Sequence, residues 1–327
     1  MIGFSIAGIA LKDRYVLAPL AGFTDYSLRK MASDNGASLV YTEMSSCEAL
    51  VYQSQATLQD IHDTRLDKKN CPDSKLALQI FGGKKDVILR SVPLFEQEGD
   101  YDFLDFNCGC PVPKVIRQNA GSAWLARPDE LVELMGELCK ISHKPVLIKV
   151  RLGISSILDM PALAKRLEAV GVAAIAVHGR TRKELFSGPV HYDEIAKIKR
   201  AVSIPVIANG SIDETNADKV LEETGADAVM IGQRAIGYPK VFEDLVRKEE
   251  GLPLLESSLE RQLSDLEKHL RLIFAIKDPK RASDIMRGIS THYVRGFENC
   301  SEIRLALVHC TSLEDYLKVI HSVHNEQ

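Results

Sequence analysis

The stretch Val146-Leu147-Ile148-Lys149-Val150 is an apolar, largely β-branched run broken by a single lysine. A nearly continuous apolar run of this length suits a parallel strand buried on both faces. Amphipathic segments at helical spacing flank it, Asp129 to Ser142 before and Met160 to Ala169 after. The same alternation extends in both directions. Upstream lie Tyr15-Val16-Leu17-Ala18, Leu39-Val40-Tyr41-Thr42, Leu76-Ala77-Leu78-Gln79-Ile80 and Phe103-Leu104-Asp105-Phe106. Downstream lie Ala174-Ile175-Ala176-Val177, Pro205-Val206-Ile207-Ala208 and Ala228-Val229-Met230-Ile231, with helical patterns over Tyr192 to Val202 and Asn216 to Thr224. Eight such strands alternating with helices predict an α/β fold, a (β/α)8 TIM barrel. A doubly wound open sheet is the alternative, but it usually has fewer strands and a Gly-rich turn after the first, which is missing here.

Beyond the eighth run the pattern changes. Glu249 to Ser258 reads as a linker, and only helical periodicity follows: Leu259 to Ile276 (through Leu263, Leu266, Leu270 and Ile273), Ala282 to Val294 and Ser312 to Val323. The expected organisation is a catalytic barrel over 1–248, a linker over 249–258 and a small all-helical domain over 259–327. The 327 residues are 45% hydrophobic and 26% charged, which excludes a disordered, collagen-like or coiled-coil chain. Mean hydropathy is −0.07, and no run of about 18 apolar residues offers a membrane span. Met1-Ile2-Gly3-Phe4-Ser5 lacks the basic start and apolar run of a signal peptide, so a cytoplasmic location is expected. Seven cysteines, an odd number with no CxxC pair, argue against a disulfide framework and against a structural zinc site. A net charge of −4 excludes nucleic-acid binding by the chain as a whole, so any such partner must be held by a local basic patch.

In an α/β barrel the chemistry gathers where strands end and loops begin. The residues at those edges are Pro19, Glu43, Gln79, Asn107, Lys149, His178, Asn209 and Gly232. Two amides, a lysine and a histidine, each directly after an apolar run, form a set that chance would not assemble. Gln79 and Asn209 taken alone could simply cap loops. An ammonium is costly to bury without a partner, which favours a functional Lys149. His178 stands in His178-Gly179-Arg180-Thr181-Arg182, where the arginines serve equally as ligand contacts or as solvated loop charges. Asn209-Gly210-Ser211-Ile212 and Gly232-Gln233-Arg234-Ala235 follow strands seven and eight, the usual phosphate site of such barrels. Asp105-Phe106-Asn107-Cys108-Gly109-Cys110-Pro111 is turn-like after strand four, so a thiol can face the barrel mouth as proton donor or nucleophile. Spacing does not separate Cys108 from Cys110.

Taken in order, these stretches resemble the tRNA-dihydrouridine synthase family, most nearly its bacterial B-type branch. The likeness rests on Ala18-Pro19-Leu20-Ala21-Gly22-Phe23-Thr24-Asp25, Glu43-Met44, Gln79-Ile80 with Gly82, Asn107-Cys108-Gly109-Cys110-Pro111 and Ala120-Gly121-Ser122-Ala123. It continues through Lys149-Val150-Arg151-Leu152-Gly153, His178-Gly179-Arg180-Thr181-Arg182, Ile204 to Gly210 and Met230-Ile231-Gly232. The resemblance implies an oxidoreductase that binds FMN, takes electrons from NADPH and reduces the C5–C6 double bond of uridines in the tRNA D-loop, without a metal or a membrane. Hydride would pass from reduced FMN to C6 and a proton from Cys110 to C5. By the same resemblance Pro19, Leu20 and Ala21 underlie the flavin ring. Gln79, Lys149 and His178 hydrogen-bond the ring and ribityl chain. Asn209, Gly210, Ser211, Gly232 and Gln233 hold the phosphate region, and Asn107 orients the uracil. Arg180, Arg182, Lys280, Arg281 and Arg287 are the expected tRNA contacts.

The chain departs from the family pattern at Ser211, where Asp is usual, and at Gln233, where Arg is usual, with Arg234 one position later as a possible substitute. Gly288 and Ile289 alter the basic motif of the tail. Between Lys277 and Arg295 five cations face two acids, a local charge of +3 suited to RNA phosphates. Three other classes compete: a barrel flavoprotein acting on free pyrimidines or other small molecules, a colourless phosphate-binding aldolase, and a tRNA-binding module without chemistry.

Overall fold

The computed structural model describes residues 3–298 and 300–325; Met1 and Ile2, part of the N-terminal stretch read above, lie outside them. Eight parallel strands form the barrel: β1 (Tyr15–Leu17), β2 (Leu39–Tyr41), β3 (Lys75–Phe81), β4 (Phe103–Cys108), β5 (Val146–Arg151), β6 (Ala174–His178), β7 (Val206–Asn209) and β8 (Ala228–Ile231). Each pairs with its successor. Val229 opposite Tyr15 joins β8 to β1, and Leu39 opposite Lys75 joins β2 to β3, so the sheet has closed. The barrel expected from the alternation is the fold observed, and not an open sheet.

Strand parity sorts the side chains. Leu78, Ile80, Phe106, Cys108, Ile148, Val150, Ile175, Val177, Val229 and Ile231 point outward into the large core shared with the surrounding helices. The alternate residues Ala77, Phe103, Leu147, Ala174, Ala176, Ile207, Ala228 and Met230 fill the barrel. A hairpin, Phe4–Ile6 with Ile9–Leu11, adds Ile6 and Leu11 to that interior core at the strands' N-terminal end. The floor is therefore apolar, which leaves the polar inward positions to the C-terminal end.

Helix Val241–Glu249 follows the barrel, and four helices close the chain: Leu259–Ile276, Pro279–Tyr293, Ser301–His309 and Leu313–Asn325. Sequence periodicity anticipates all but Ser301–His309, whose apolar face is weakly patterned. These helices build a core of their own from Leu263, Leu266, Leu270, Ile273, Met286 and Tyr316, against which Leu20 and Phe23 of the loop after β1 also pack. No described helix is long and apolar enough to cross a membrane.

Charged groups tie the layers together. Arg29, on helix Tyr26–Asp34, forks onto Asp67 at 2.5–3.1 Å, with both side chains nearly sealed from solvent at 3% and 1% exposure. Lys277 of the tail is 4% exposed and bonds Asp63 at 2.5 Å and Asp60 at 3.4 Å. Removing one partner of a buried pair strands the other charge. Asp67→Asn should therefore cost about 3–5 kcal/mol of unfolding free energy in denaturant titrations, whereas the double replacement Arg29→Met with Asp67→Leu should recover most of that loss.

Candidate active site at the barrel mouth

Gln79, Asn107, Lys149, His178 and Asn209 do not follow their strands but sit within β3 to β7. Register then stacks them: Gln79 lies opposite Asp105, Asn107 opposite Lys149, and His178 opposite both Arg151 and Asn209. All share the inward parity, so five strands deliver a polar ring to one end of the barrel.

Asp105, fully buried, accepts from Gln79 Nε2 at 2.7 Å. Gln79 Oε1 in turn accepts from Asn107 Nδ2 at 2.8 Å. Asn107 Oδ1 accepts the backbone N–H groups of Gly109 (3.1 Å) and Cys110 (3.0 Å). Burial pushes the Asp105 carboxyl up to about 7, against the lowering effect of the Gln79 amide and Lys149. Lys149 Nζ donates to Asn209 Oδ1 at 3.0 Å, while Asn209 Nδ2 donates to the Met230 carbonyl at 2.8 Å. Burial, reinforced by the Arg151 charge, lowers Lys149 to about 8.

Arg151 is 2% exposed and spans three carbonyls: Gly109 (2.9 Å), Thr181 (3.0 Å) and Leu185 (2.8 Å). It thus fastens the loop after β4 to the loop after β6. Arg180 donates to Gly188 O (2.6 Å), to Ser211 Oγ (2.9 Å) and to His178 Nε2 (3.3 Å). An arginine can only donate, so His178 accepts at Nε2 and carries its proton at Nδ1. Burial, then Lys149, Arg151 and Arg180, hold the imidazole pKa down to about 2, and His178 is neutral.

The two cysteines that spacing could not separate are divided by the end of β4 at Cys108. Cys108 faces outward and is sealed in the helix-facing core, its thiol driven far above the ordinary range by burial. Cys110 lies in the loop beyond the strand, half-buried, its thiol also raised by burial. Of the pair, Cys110 alone reaches the mouth.

The phosphate-site candidates gather at the ends of β7 and β8. Gly210 has φ +125°, and a Cβ there would come within 3.0 Å of the His178 ring. Only glycine fits that approach. Gly232 adjoins Gln233, where a short 3-10 helix begins. Arg234 forks onto Glu214 of the loop after β7 at 2.9 and 3.1 Å and lies over the Tyr238 ring at 4.2 Å. Pro19 and Leu20 are half-buried and Ala21 exposed in the loop after β1, which Leu20 closes through bonds to the Thr24 side chain.

The tail is less basic in space than in sequence. Lys277 is spent on Asp60 and Asp63, Arg281 on Asp60 at 3.1 Å, and Arg287 on Asp284 at 3.3 Å. A charge count along the chain does not see acids that the barrel brings to the tail. Lys280 remains exposed. Two residues escaped assignment altogether, Asp105 and Arg151. Each stands two positions from a residue that was assigned, Asn107 and Lys149, and so on the same strand face; that offset was the available signal. Among the described residues no cluster of three metal-ligating side chains occurs.

Comparison with known proteins bears on this arrangement. The family model for dihydrouridine synthase (Dus) matches residues 16–326. The tRNA-dihydrouridine synthase B of Pasteurella multocida is 32% identical over 327 residues, covering 98% of this chain and 95% of its own. That of Pseudomonas aeruginosa is 37% identical over 254 residues, covering 76% and 74%. Among solved structures, the old yellow enzyme from Trypanosoma cruzi (TM-score 0.56, 13% identity, 80% of this chain and 94% of that one) shares the barrel. So does morphinone reductase (TM-score 0.56, 14% identity, 78% and 90%). Identities this low speak to the fold alone. The sequence match, which runs from β1 into the last helix, speaks to descent: the chain belongs to the dihydrouridine synthase family.

Proposed function

We propose that this protein is a cytoplasmic tRNA-dihydrouridine synthase that binds FMN at the barrel mouth, takes electrons from NADPH and reduces the C5–C6 double bond of D-loop uridines. The observation that carries the reading is the family match over residues 16–326, barrel and tail together, in a chain whose relatives are named for tRNA. The division into a barrel over 1–248 and a tRNA-binding tail over 259–327, joined by 249–258, belongs to the same proposal.

The side chains suit FMN. Lys149 uses one of its three donors on Asn209 and faces the mouth, an arrangement that favours negative charge on a bound ring. Gln79 keeps one N–H and one lone pair beyond its bonds to Asp105 and Asn107. Neutral His178 offers its Nδ1 proton as a donor. Gly210, Ser211, Gly232 and Gln233 would hold the phosphate, chiefly through backbone N–H groups, since Gln233 stands where a cation is usual. Pro19, Leu20 and Ala21 would support the ring. When bound, FMN supplies the hydride for C6, replenished from NADPH.

The remaining steps fall to the chain itself. The raised pKa of Cys110 keeps its proton on sulfur at neutral pH, ready for transfer to C5. Asn107 retains one amide hydrogen, resting against Met44 Sδ at 3.7 Å, for a uracil carbonyl. Arg180, bonded to His178 and Ser211, and Arg182 would contact the tRNA near the mouth, and Lys280, Arg281 and Arg287 would meet its backbone. The target base must leave its stack to enter, at a cost of about a few kcal/mol, less in a loop already unstacked.

The visible spectrum of the purified protein tests the whole reading. A flavin band that bleaches with NADPH and returns anaerobically on adding unmodified tRNA is the expected result. Bleaching without return would favour a small-molecule reductase, and a protein that stays colourless after incubation with FMN would favour the phosphate-binding lyase. Cys110→Ala should lower dihydrouridine formation about 10²–10⁴-fold while NADPH still bleaches the flavin at the wild-type rate. FMN affinity should fall as pH rises through about 8, where free-protein Lys149 loses its proton, by at most about tenfold per pH unit. Fluorescence titration of Lys149→Met should give a flat profile over the same range.

A further inference from the structure

The side-chain amides of Gln79 and Asn107 could each face either way, but their neighbours allow one arrangement. At the inner end, the Asp105 carboxyl, once ionised above about pH 7, only accepts, so the Gln79 atom facing it at 2.7 Å is nitrogen, the same facing that the loop N–H groups at the other end demand. The Gln79 oxygen therefore faces Asn107, and Asn107 must present its nitrogen there, at 2.8 Å. That turns the Asn107 oxygen toward the N–H groups of Gly109 and Cys110, which can only donate. Acceptor-only and donor-only ends agree, and the chain of bonds has a single polarity. Asp105 itself is fixed in the sealed interior of β4, with its second oxygen, Oδ1, lacking a hydrogen-bond partner among the described residues. A buried carboxyl left half-paired is expensive, and the sheet has no structural need of it where apolar residues fill the neighbouring inward positions.

We infer that Asp105 is a positioning residue: its carboxylate sets the facing of the Gln79 and Asn107 amides and thereby pins the backbone of Cys110 at the barrel mouth. The importance of that pinning rests on the proposed role of Cys110; the pinning does not. Asp105 touches no reacting atom. It acts through two amides, across β3 and β4, on the loop that carries the thiol.

Cysteine labelling reads this directly in the full-length protein as purified. Iodoacetamide modification is followed residue by residue by mass spectrometry, with half-buried Cys139 as an internal reference and buried Cys47 and Cys108 as reporters of general loosening. Asp105→Leu removes the acceptor and Gln79→Met removes the relay. Each should raise the labelling rate of Cys110 about tenfold with the other three unchanged, since two bonds to the loop are released. Asp105→Asn can still accept from Gln79 through its carbonyl oxygen and should label Cys110 within about twofold of wild type. Should Asp105→Leu not fold, Gln79→Met carries the test. Wild-type labelling of Cys110 in both disrupting variants overturns the proposal, as does an equal rise in Asp105→Asn, which would assign the effect to charge. A wild-type protein that makes no dihydrouridine would defeat the functional reading and leave this labelling pattern as it is.

Discussion

Strand β2 is only three residues long, yet Leu39 stands opposite Val16 on one side and Lys75 on the other. That double pairing turns a row of parallel strands into a closed ring, and closure imposes parity on every strand. Once no edge exists, each residue faces either the enclosed interior or the helices. The interior is consumed from below by the hairpin and by small or aliphatic side chains, so polar inward residues are tolerated only at the other end. The position of the site follows from closure, before any side chain is considered.

At that end the electrostatics run against the whole chain. Lys149, Arg151 and Arg180 converge around a histidine that its burial and their charge keep neutral, with Asp105 buried beside them in β4. A protein with net charge −4 thus gathers three cations on neighbouring strands and loops. Low-dielectric walls make such a local concentration of charge more effective than surface charge of equal number, so overall composition is a poor guide to what the mouth attracts.

The strands and most helices were legible because each apolar run had to be continuous to lie buried on both faces, and each helix had to be striped. Gln79, Lys149, His178 and Asn209 were legible because an amide, an ammonium or an imidazole in or at the end of such a run needs a reason. Asp105 was not: it stands inside its run, where a strand reading absorbs it, and only the register that sets it opposite Gln79 gives it a role. Cys108 and Cys110 share a parity on paper. The strand ends at Cys108 and the chain turns, which sends one thiol to the core and the other to the mouth. The ion pairs of the tail were illegible for a different reason. Lys277 and Arg281 read as free cations because Asp60 and Asp63 lie more than two hundred residues away in the chain.

Those acids make the last helices something other than an exchangeable part. Leu20 and Phe23 leave the loop beside β1, one face of the mouth, and end in the tail's own core. Lys277 meanwhile neutralises Asp63 on the barrel side at 2.5 Å. A tail grafted from a relative would inherit a hydrophobic socket shaped by this barrel's first loop and an acid requiring a cation at one position of the helix junction. Sequence change in the tail is therefore freest on its outer surface, while its inner surface must co-vary with Leu20 and Phe23 of the first loop and with Asp63.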